Sequence, residues 1–226
     1  MFYVIPTPIG NLDDITFRTI KVIKSLDVLY CEDPRHTSNM LTKLGIEGVN
    51  LQKYVDQNEK KLIPQIIEQI KQNKIVGIVS DAGYPVISDP GYKLISEINK
   101  QDLKMEVLPG ASSILPSLIY SSFPVHNFVF IGFLQKKQSK IISDISKFRG
   151  TSTIFFESPK RIVKTLKILN DNFPESYICV CREISKMHED IKRGNIKDIY
   201  NFYSKITNVK GEIVCVLLID NEVSHV

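Results

Sequence analysis

Between residues 2 and 121 the sequence switches repeatedly between two periods, and this switching limits the fold more than any other feature. Short apolar runs ("FYVI", "DVLYCED", "KIVGIVS", "MEVLP") read as strands. Between them, apolar residues recur at helical spacing, as in "ITFRTIKVIKSL", where Ile15, Thr19, Val22, Ile23 and Leu26 share one face. "TSNMLTKLG" reads as a short helix with Thr37 as its cap and Gly45 as its stop. "VNLQKY" is a strand pattern leading to Asn58 and the helix "EKKLIPQIIEQIKQ", whose Pro64 must lie in the first turns unless the helix starts later. "GYKLISEIN" and "SSILPSLIYS" add two further helices. Alternation of this kind predicts an α/β fold with a mostly parallel sheet and helices on both faces.

"SSFPVHNF" has no periodicity and contains Pro124, so it reads as a linker. Beyond it come strand patterns "FVFIGF", "STIFFE", "SYICVCRE" and "EIVCVLLID", with helices expected near 138–148, 160–172 and 195–204. The expected organisation is two α/β domains, 1–121 with a mostly parallel sheet and 122–226 with a mixed sheet, and a cleft between them. Charge divides at the same place. Residues 1–122 carry 13 Lys and Arg against 14 Asp and Glu, whereas residues 123–226 carry 16 against 11. A surplus of that kind points to a polyanion near the second half, or to a solvated lysine-rich face.

No apolar run reaches the roughly 18 residues of a membrane span, and the start "MFYVI" lacks a signal peptide's basic flank. The expectation is a cytoplasmic protein that does not engage a membrane. Cys31, Cys179, Cys181 and Cys215 form no CxxC pair, so buried free thiols are expected rather than a metal site.

In open α/β sheets, ligands bind beyond the carboxyl ends of the strands. Those ends are the compositionally unusual loops: "PTPIGN", "CEDPRHT", "SDAGYPVISDPG", "PGASS", "ESPKR" and "REISKMHE". Neither GxGxxG nor GxxxxGK[ST] is present. Pro6 and Pro8 donate no N–H, so the opening loop is a poor diphosphate cradle and suits a ligand without phosphates. Asp81 offers a carboxylate for an amine, a ribose hydroxyl or a cation, Gly83 lets backbone come close, and Ser112 and Ser113 bring hydroxyls to a helix start. Arg35 with His36, Lys160 with Arg161, and Arg182 with Lys186 and His188 form three basic clusters beside carboxylates. They read as surface pairs or as phosphate contacts. There is no aromatic RNP-type motif or zinc finger.

The segments "PTPIGNLDDIT", "EDPRHT", "VSDAGYPVISDPGY", "LPGASS", "GFLQKK", "FFESPKR", "REISKMHE" and "KGEIVCVL" occur in one order, over residues 2 to 219. In this the chain resembles the bacterial ribosomal RNA small subunit methyltransferase I family, within the tetrapyrrole methylase (class III methyltransferase) superfamily. The resemblance implies an S-adenosylmethionine-dependent 2′-O-methylation of a cytidine ribose in 16S rRNA of the small ribosomal subunit. It also implies a homodimer. S-adenosylmethionine carries an ammonium, a carboxylate and a sulfonium but no phosphate, which agrees with the proline-bearing opening loop. By resemblance the donor site comprises Pro8, Ser80, Asp81, Ala82, Gly83, Ile87, Ser112, Ser113, Phe156 and Gly211.

Three positions depart from the family pattern: Pro34 replaces a threonine, Tyr84 stands in "SDAGTP", and Lys160 stands in "ESPHR". Many members also continue past the final strand, so a contribution of that segment to RNA binding is expected to be missing here. Methyl transfer from a sulfonium needs alignment and help for a weakly acidic hydroxyl, but no metal. Glu157 and Lys186 are the catalytic candidates, with Asp33, Arg35 and Lys160 behind them. Arg35, His36, Lys160, Arg161, Arg182 and Lys186 are expected on the RNA. Two other readings remain open: a precorrin or uroporphyrinogen C-methyltransferase, and a non-catalytic RNA- or ribosome-binding module.

Overall fold

A computed structural model of the chain describes residues 1–219. The residues divide into two compact units, Met1–Ser112 and those from Ser113 onward.

The first unit holds five strands, β1 (Phe2–Val4), β2 (Val28–Cys31), β3 (Leu51–Lys53), β4 (Val76–Ile78) and β5 (Met105–Val107), in the order β3-β2-β4-β1-β5. Every pairing is parallel. Four helices connect them: α1 (Phe17–Lys24), α2 (Pro34–Lys43), α3 (Glu59–Lys71) and α4 (Tyr92–Lys100). Successive side chains of a strand point to opposite faces, and both faces are apolar here. Phe2, Val4, Tyr30 and Ile78 pack with Ile66, Ile67 and Ile70 of α3 and Leu94 and Ile98 of α4. Ile5, Leu29 and Cys31 pack instead with Ile23 of α1 and Met40 and Leu41 of α2.

One helix start differs from expectation. Helix α2 begins at Pro34, capped by the Asp33 carboxylate, which accepts from the Arg35 N–H, while Thr37 lies buried inside the helix. A proline at the first helical position needs no N–H partner, so Pro34 fixes the start there. Helix α3 starts at Glu59 as expected, with Pro64 in its second turn. Gly45 follows the end of α2 with φ +66°, the left-handed conformation expected of a helix stop.

The second unit contains helix α5 (Ile114–Ser121), strands β6 (Phe128–Phe133), β7 (Ser152–Glu157), β8 (Tyr177–Arg182), β9 (Asp190–Asn195) and β10 (Ile213–Leu218), and helices α6 (Gln138–Ser146), α7 (Ile162–Asn172) and α8 (Ile196–Ser204). The sheet order is β6-β7-β10-β8-β9, with β6–β7 parallel and the other pairs antiparallel. One face packs on α6, α7 and α8 through Phe155, Val180, Cys215, Leu166, Ile145 and Tyr203. Helix α5 packs against β7, β8 and β10. The sequence reading placed the boundary after residue 121, at the far end of α5. Strand β9 was not anticipated, because "DIKRGN" is polar and lies at the sheet edge, where charge and glycine discourage further pairing. The end of the expected strand "EIVCVLLID", at Asp220, lies outside the described residues, as does the C-terminal segment that follows it.

Candidate functional site

At the carboxyl edge of the parallel sheet, three turns are held together by backbone. Thr7 and Gly83 exchange both hydrogen bonds, N–H to O at 2.9 and 3.0 Å, so the proline loop and the "SDAGYP" loop form a two-residue antiparallel bridge. The buried Thr7 Oγ1 donates to the Ser80 carbonyl (3.1 Å), and the Ser80 hydroxyl lies 3.3 Å from the carbonyls of Ala82 and Gly83. The third turn joins through Tyr84, whose hydroxyl accepts from the Gly110 N–H at 2.9 Å. Gly110 is also pressed on the first loop: a Cβ there would stand 2.4 Å from Pro6 Cγ. Pro8 is buried in this assembly.

A fourth loop joins through a carboxylate. Asp81 Oδ1 accepts from the Asp33 N–H at 3.3 Å, which ties "SDAG" to the start of α2. Asp33 itself pairs with the exposed Arg35 at 3.3 Å, and the Arg35 guanidinium holds its carboxyl below the usual range. Burial, then the negative charge of Asp81, raises the Glu32 carboxyl. Asp89 is pushed up to about 6 by burial and by Glu32, against an opposing hydrogen bond from Ser80. Glu32, Asp33, Asp81 and Asp89 therefore make this edge acidic. Such an edge repels phosphate and favours a ligand carrying positive charge.

The loop that carries Asp89 is strained. Val86 and Ser88 have φ of +77° and +66°, conformations that cost of order 1–2 kcal/mol for residues with a Cβ, while Gly83 and Gly91 adopt +75° and +129°. Ile87, between the two strained residues, is 45% exposed. Ser112 closes the first unit, partly buried. Among the expected donor residues, Pro8, Ser80, Asp81, Ala82 and Gly83 thus share one neighbourhood. Asp89 and Glu32 were missed. Both lie in loops singled out by composition, but only the folded chain reveals their mutual repulsion.

In the second unit, Ser113 precedes α5 and Phe156 lies on β7, edge-on to Phe130 and Phe133 with ring centroids 4.9 and 5.4 Å away. Glu157 is buried, and both its oxygens are engaged. Oε1 accepts from the Ser158 N–H (2.7 Å) and lies 3.3 Å from Arg161 Nε, while Oε2 accepts from Thr165 Oγ1 at 2.6 Å. This carboxylate anchors the first turn of α7, where negative charge is favoured. The geometry gives Glu157 a structural part at the start of α7, beside its expected part as a proton acceptor. Arg161 is similarly committed, donating to the carbonyls of Leu134 (2.8 Å) and Gln135 (3.1 Å). Lys160 is exposed, as are Arg35 and His36 on α2.

The "REISKMHE" turn folds onto Gly211. Glu183 and Ser185 take φ of +56° and +63°. Glu183 Oε1 accepts from the Glu212 N–H (2.8 Å) and from Lys186 Nζ (2.9 Å), and Lys186 also reaches Glu212 Oε2 at 3.0 Å. Burial opposes the charge of both partners, yet the pairing prevails: the Glu183 carboxyl is lowered and the Lys186 ammonium raised. Lys186 is therefore a fixed cation, not a base. Arg182 Nη1 reaches the Lys210 carbonyl at 3.5 Å, and Met187 at the tip is 93% exposed. Cys179 and Cys181 have sulfurs 3.6 Å apart and, with Cys31 and Cys215, are buried free thiols. Among the described residues no His, Cys, Asp and Glu group suited to a metal ion occurs, and no helix is long and apolar enough to cross a membrane.

Residues 1–200 match the family of tetrapyrrole (corrin/porphyrin) methylases. The chain is 43% identical over 220 residues to ribosomal RNA small subunit methyltransferase I of Hydrogenobaculum sp., covering 97% of this chain and 96% of that protein. It is 41% identical to the protein of the same name from Rickettsia prowazekii, covering 95% of this chain and 77% of that one. Solved structures with the same fold include diphthine synthase (TM-score 0.72, 14% identity, 96% and 89% covered). Another is uroporphyrin-III C-methyl transferase from Thermus thermophilus complexed with S-adenosyl homocysteine (TM-score 0.64, 15% identity, 95% and 96% covered). The chain belongs to the ribosomal RNA small subunit methyltransferase I family of tetrapyrrole methylases and is an S-adenosylmethionine-dependent methyltransferase.

Proposed function

We propose that this methyltransferase acts on a ribose 2′-hydroxyl of a cytidine in 16S rRNA, presented by the small ribosomal subunit. The observation that carries this reading is the 43% identity over 97% of the chain to a protein named for that subunit's RNA. The fold alone does not choose the acceptor, because structural relatives near 15% identity are named for precorrin, uroporphyrin and diphthine substrates.

The first unit suits the donor in three ways. Its proline loop supplies few N–H groups, its carboxylates favour an ammonium and a sulfonium, and the Thr7–Gly83 bridge fixes the loops in advance. Pro8, Ser80, Asp81, Ala82, Gly83, Ile87, Ser112, Ser113, Phe156 and Gly211 are the residues proposed to hold the donor. When bound, the donor supplies an electrophilic methyl group. Lys186, kept protonated by two carboxylates, supplies a fixed positive charge that stabilises a developing alkoxide. Glu157 is assigned the start of α7 instead of proton transfer. Arg35, His36, Lys160 and Arg182 contact RNA phosphates, and Arg161 serves from its fixed position. A cytoplasmic homodimer completes the proposal, and sedimentation velocity at micromolar concentration tests the dimer.

The decisive experiment measures transfer of tritiated methyl from S-adenosylmethionine to 30S subunits, naked 16S rRNA and a tetrapyrrole, followed by nucleoside mass spectrometry. Label recovered as 2′-O-methylcytidine from 30S subunits is expected. Label on a base, or on the tetrapyrrole alone, overturns the reading.

A further inference from the structure

The second unit contains a concavity that the donor site does not use. A pocket of about 210 Å3 opens between α6 and α7, lined by Lys136, Ile141, Arg161, Lys164, Thr165 and Ile168. Its floor is apolar, with Ile141 and Ile168 both buried. Its rim is cationic. Arg161 and Thr165 form a preset wall, because Arg161 is fastened to the Leu134 and Gln135 carbonyls and both side chains meet the Glu157 carboxylate.

The charge around this pocket is uneven. Between residues 134 and 167 there are nine Lys and Arg against only Asp144 and Glu157, a surplus of seven in a chain whose net charge is +4. Local partners absorb some of it: Lys147 pairs with Asp144, Lys167 with Asp171, and Arg149 lies over the Phe173 ring. Lys136 and Lys164 are exposed and make no ion pair among the described residues. Two unpaired ammonium groups over an apolar hollow match a phosphodiester whose adjoining ribose and base pack on aliphatic carbon.

Resting on the reading of the protein as an rRNA methyltransferase, we infer that the α6–α7 pocket is a nucleotide subsite for the RNA strand. Lys136 and Lys164 neutralise its phosphate, and Ile141 and Ile168 lie beneath the base or sugar. The subsite discriminates single-stranded nucleotides from double helix, whose bases are not available to enter a pocket.

The test compares wild-type protein with Lys136→Ala/Lys164→Ala, using Lys167→Ala as a control in which an ion-paired lysine outside the pocket is removed. Binding to 30S subunits and to a single-stranded oligoribonucleotide is measured over a salt series, and S-adenosylmethionine binding by calorimetry. The double variant should bind RNA about ten-fold more weakly, with a salt slope shallower by about 0.7, and keep its donor affinity. Lys167→Ala should match the wild type. Equal RNA affinity and slope in double variant and wild type overturn the pocket while leaving the rRNA reading intact. Wild-type protein that binds no RNA overturns both.

Discussion

Gly211→Ala tests whether the "REISKMHE" turn depends on one missing methyl group. A Cβ at Gly211 would lie 2.5 Å from Cγ and Cδ of Glu183 and 2.6 Å from its Oε1, and the backbone there has φ +94°. The left-handed conformation costs an alanine about 1–2 kcal/mol. The collision adds a second cost, because Glu183 must swing away from the Glu212 N–H and from Lys186. Losing those two partners is worth about 1–2 kcal/mol after allowing for the pair's partial exposure, so the total is about 2–4 kcal/mol. Every colliding atom lies beyond the Glu183 Cβ, so Glu183→Ala removes the clash and leaves only the backbone term. Gly211→Ala should therefore cost only about 1–2 kcal/mol in the Glu183→Ala background, a coupling of about 1–2 kcal/mol. Urea unfolding followed by circular dichroism suits a chain without tryptophan. An identical cost in both backgrounds would refute the collision as the cause.

Asp89→Asn should stabilise the protein as pH rises. The Asp89 carboxyl moves from 3.8 to about 6 on folding, so protonation favours the folded state and that contribution is lost as pH climbs through about 6. Because Asp89 is only partly buried, the variant's gain at pH 8 should be about 1–2 kcal/mol relative to pH 4, read from unfolding midpoints at both values. Asp81→Ala or Gly83→Val should abolish binding of S-adenosylmethionine in calorimetry, the first by losing the tie to Asp33 and the second by placing a branched side chain at φ +75°; unchanged affinity would contradict the donor placement. Glu157→Gln should destabilise the fold by about 2–4 kcal/mol, since Arg161 loses its carboxylate, while leaving the pH–rate profile unmoved in whatever activity survives. Loss of the acidic limb of that profile, where a carboxylate base becomes protonated, would restore Glu157 as a base.

Much of the frame is legible in the sequence because local periods and burial coincide. The strands around Phe2–Val4 and Val28–Cys31 are apolar on both faces, which is what a parallel sheet covered by helices demands. The loops were legible for the same reason: strand ends in such a sheet collect the odd residues, and Thr7, Gly83 and Gly110 meet there. What stayed hidden depends on pairing across the chain. Strand β9 carries no apolar alternation because it lies on an edge. The start of α2 turns on how one Asp–Pro pair caps a helix, and Thr37 looked equally suitable in isolation. The role of Glu157 follows from Thr165, eight residues away on the next helix, and no single residue type announces that bond.

The order of the first sheet bears on synthesis. Strand β1, first of this sheet in chain order, pairs with β4 and β5, whose residues run to Val107. Its buried Phe2 and Val4 must wait, unpartnered, until β4 has been translated about 70 residues later, and for β5 about 30 residues beyond that. Nascent chains of this protein thus expose a sticky strand for several seconds, and holdase chaperones should capture stalled lengths shorter than the fourth strand far more readily than those that include the fifth.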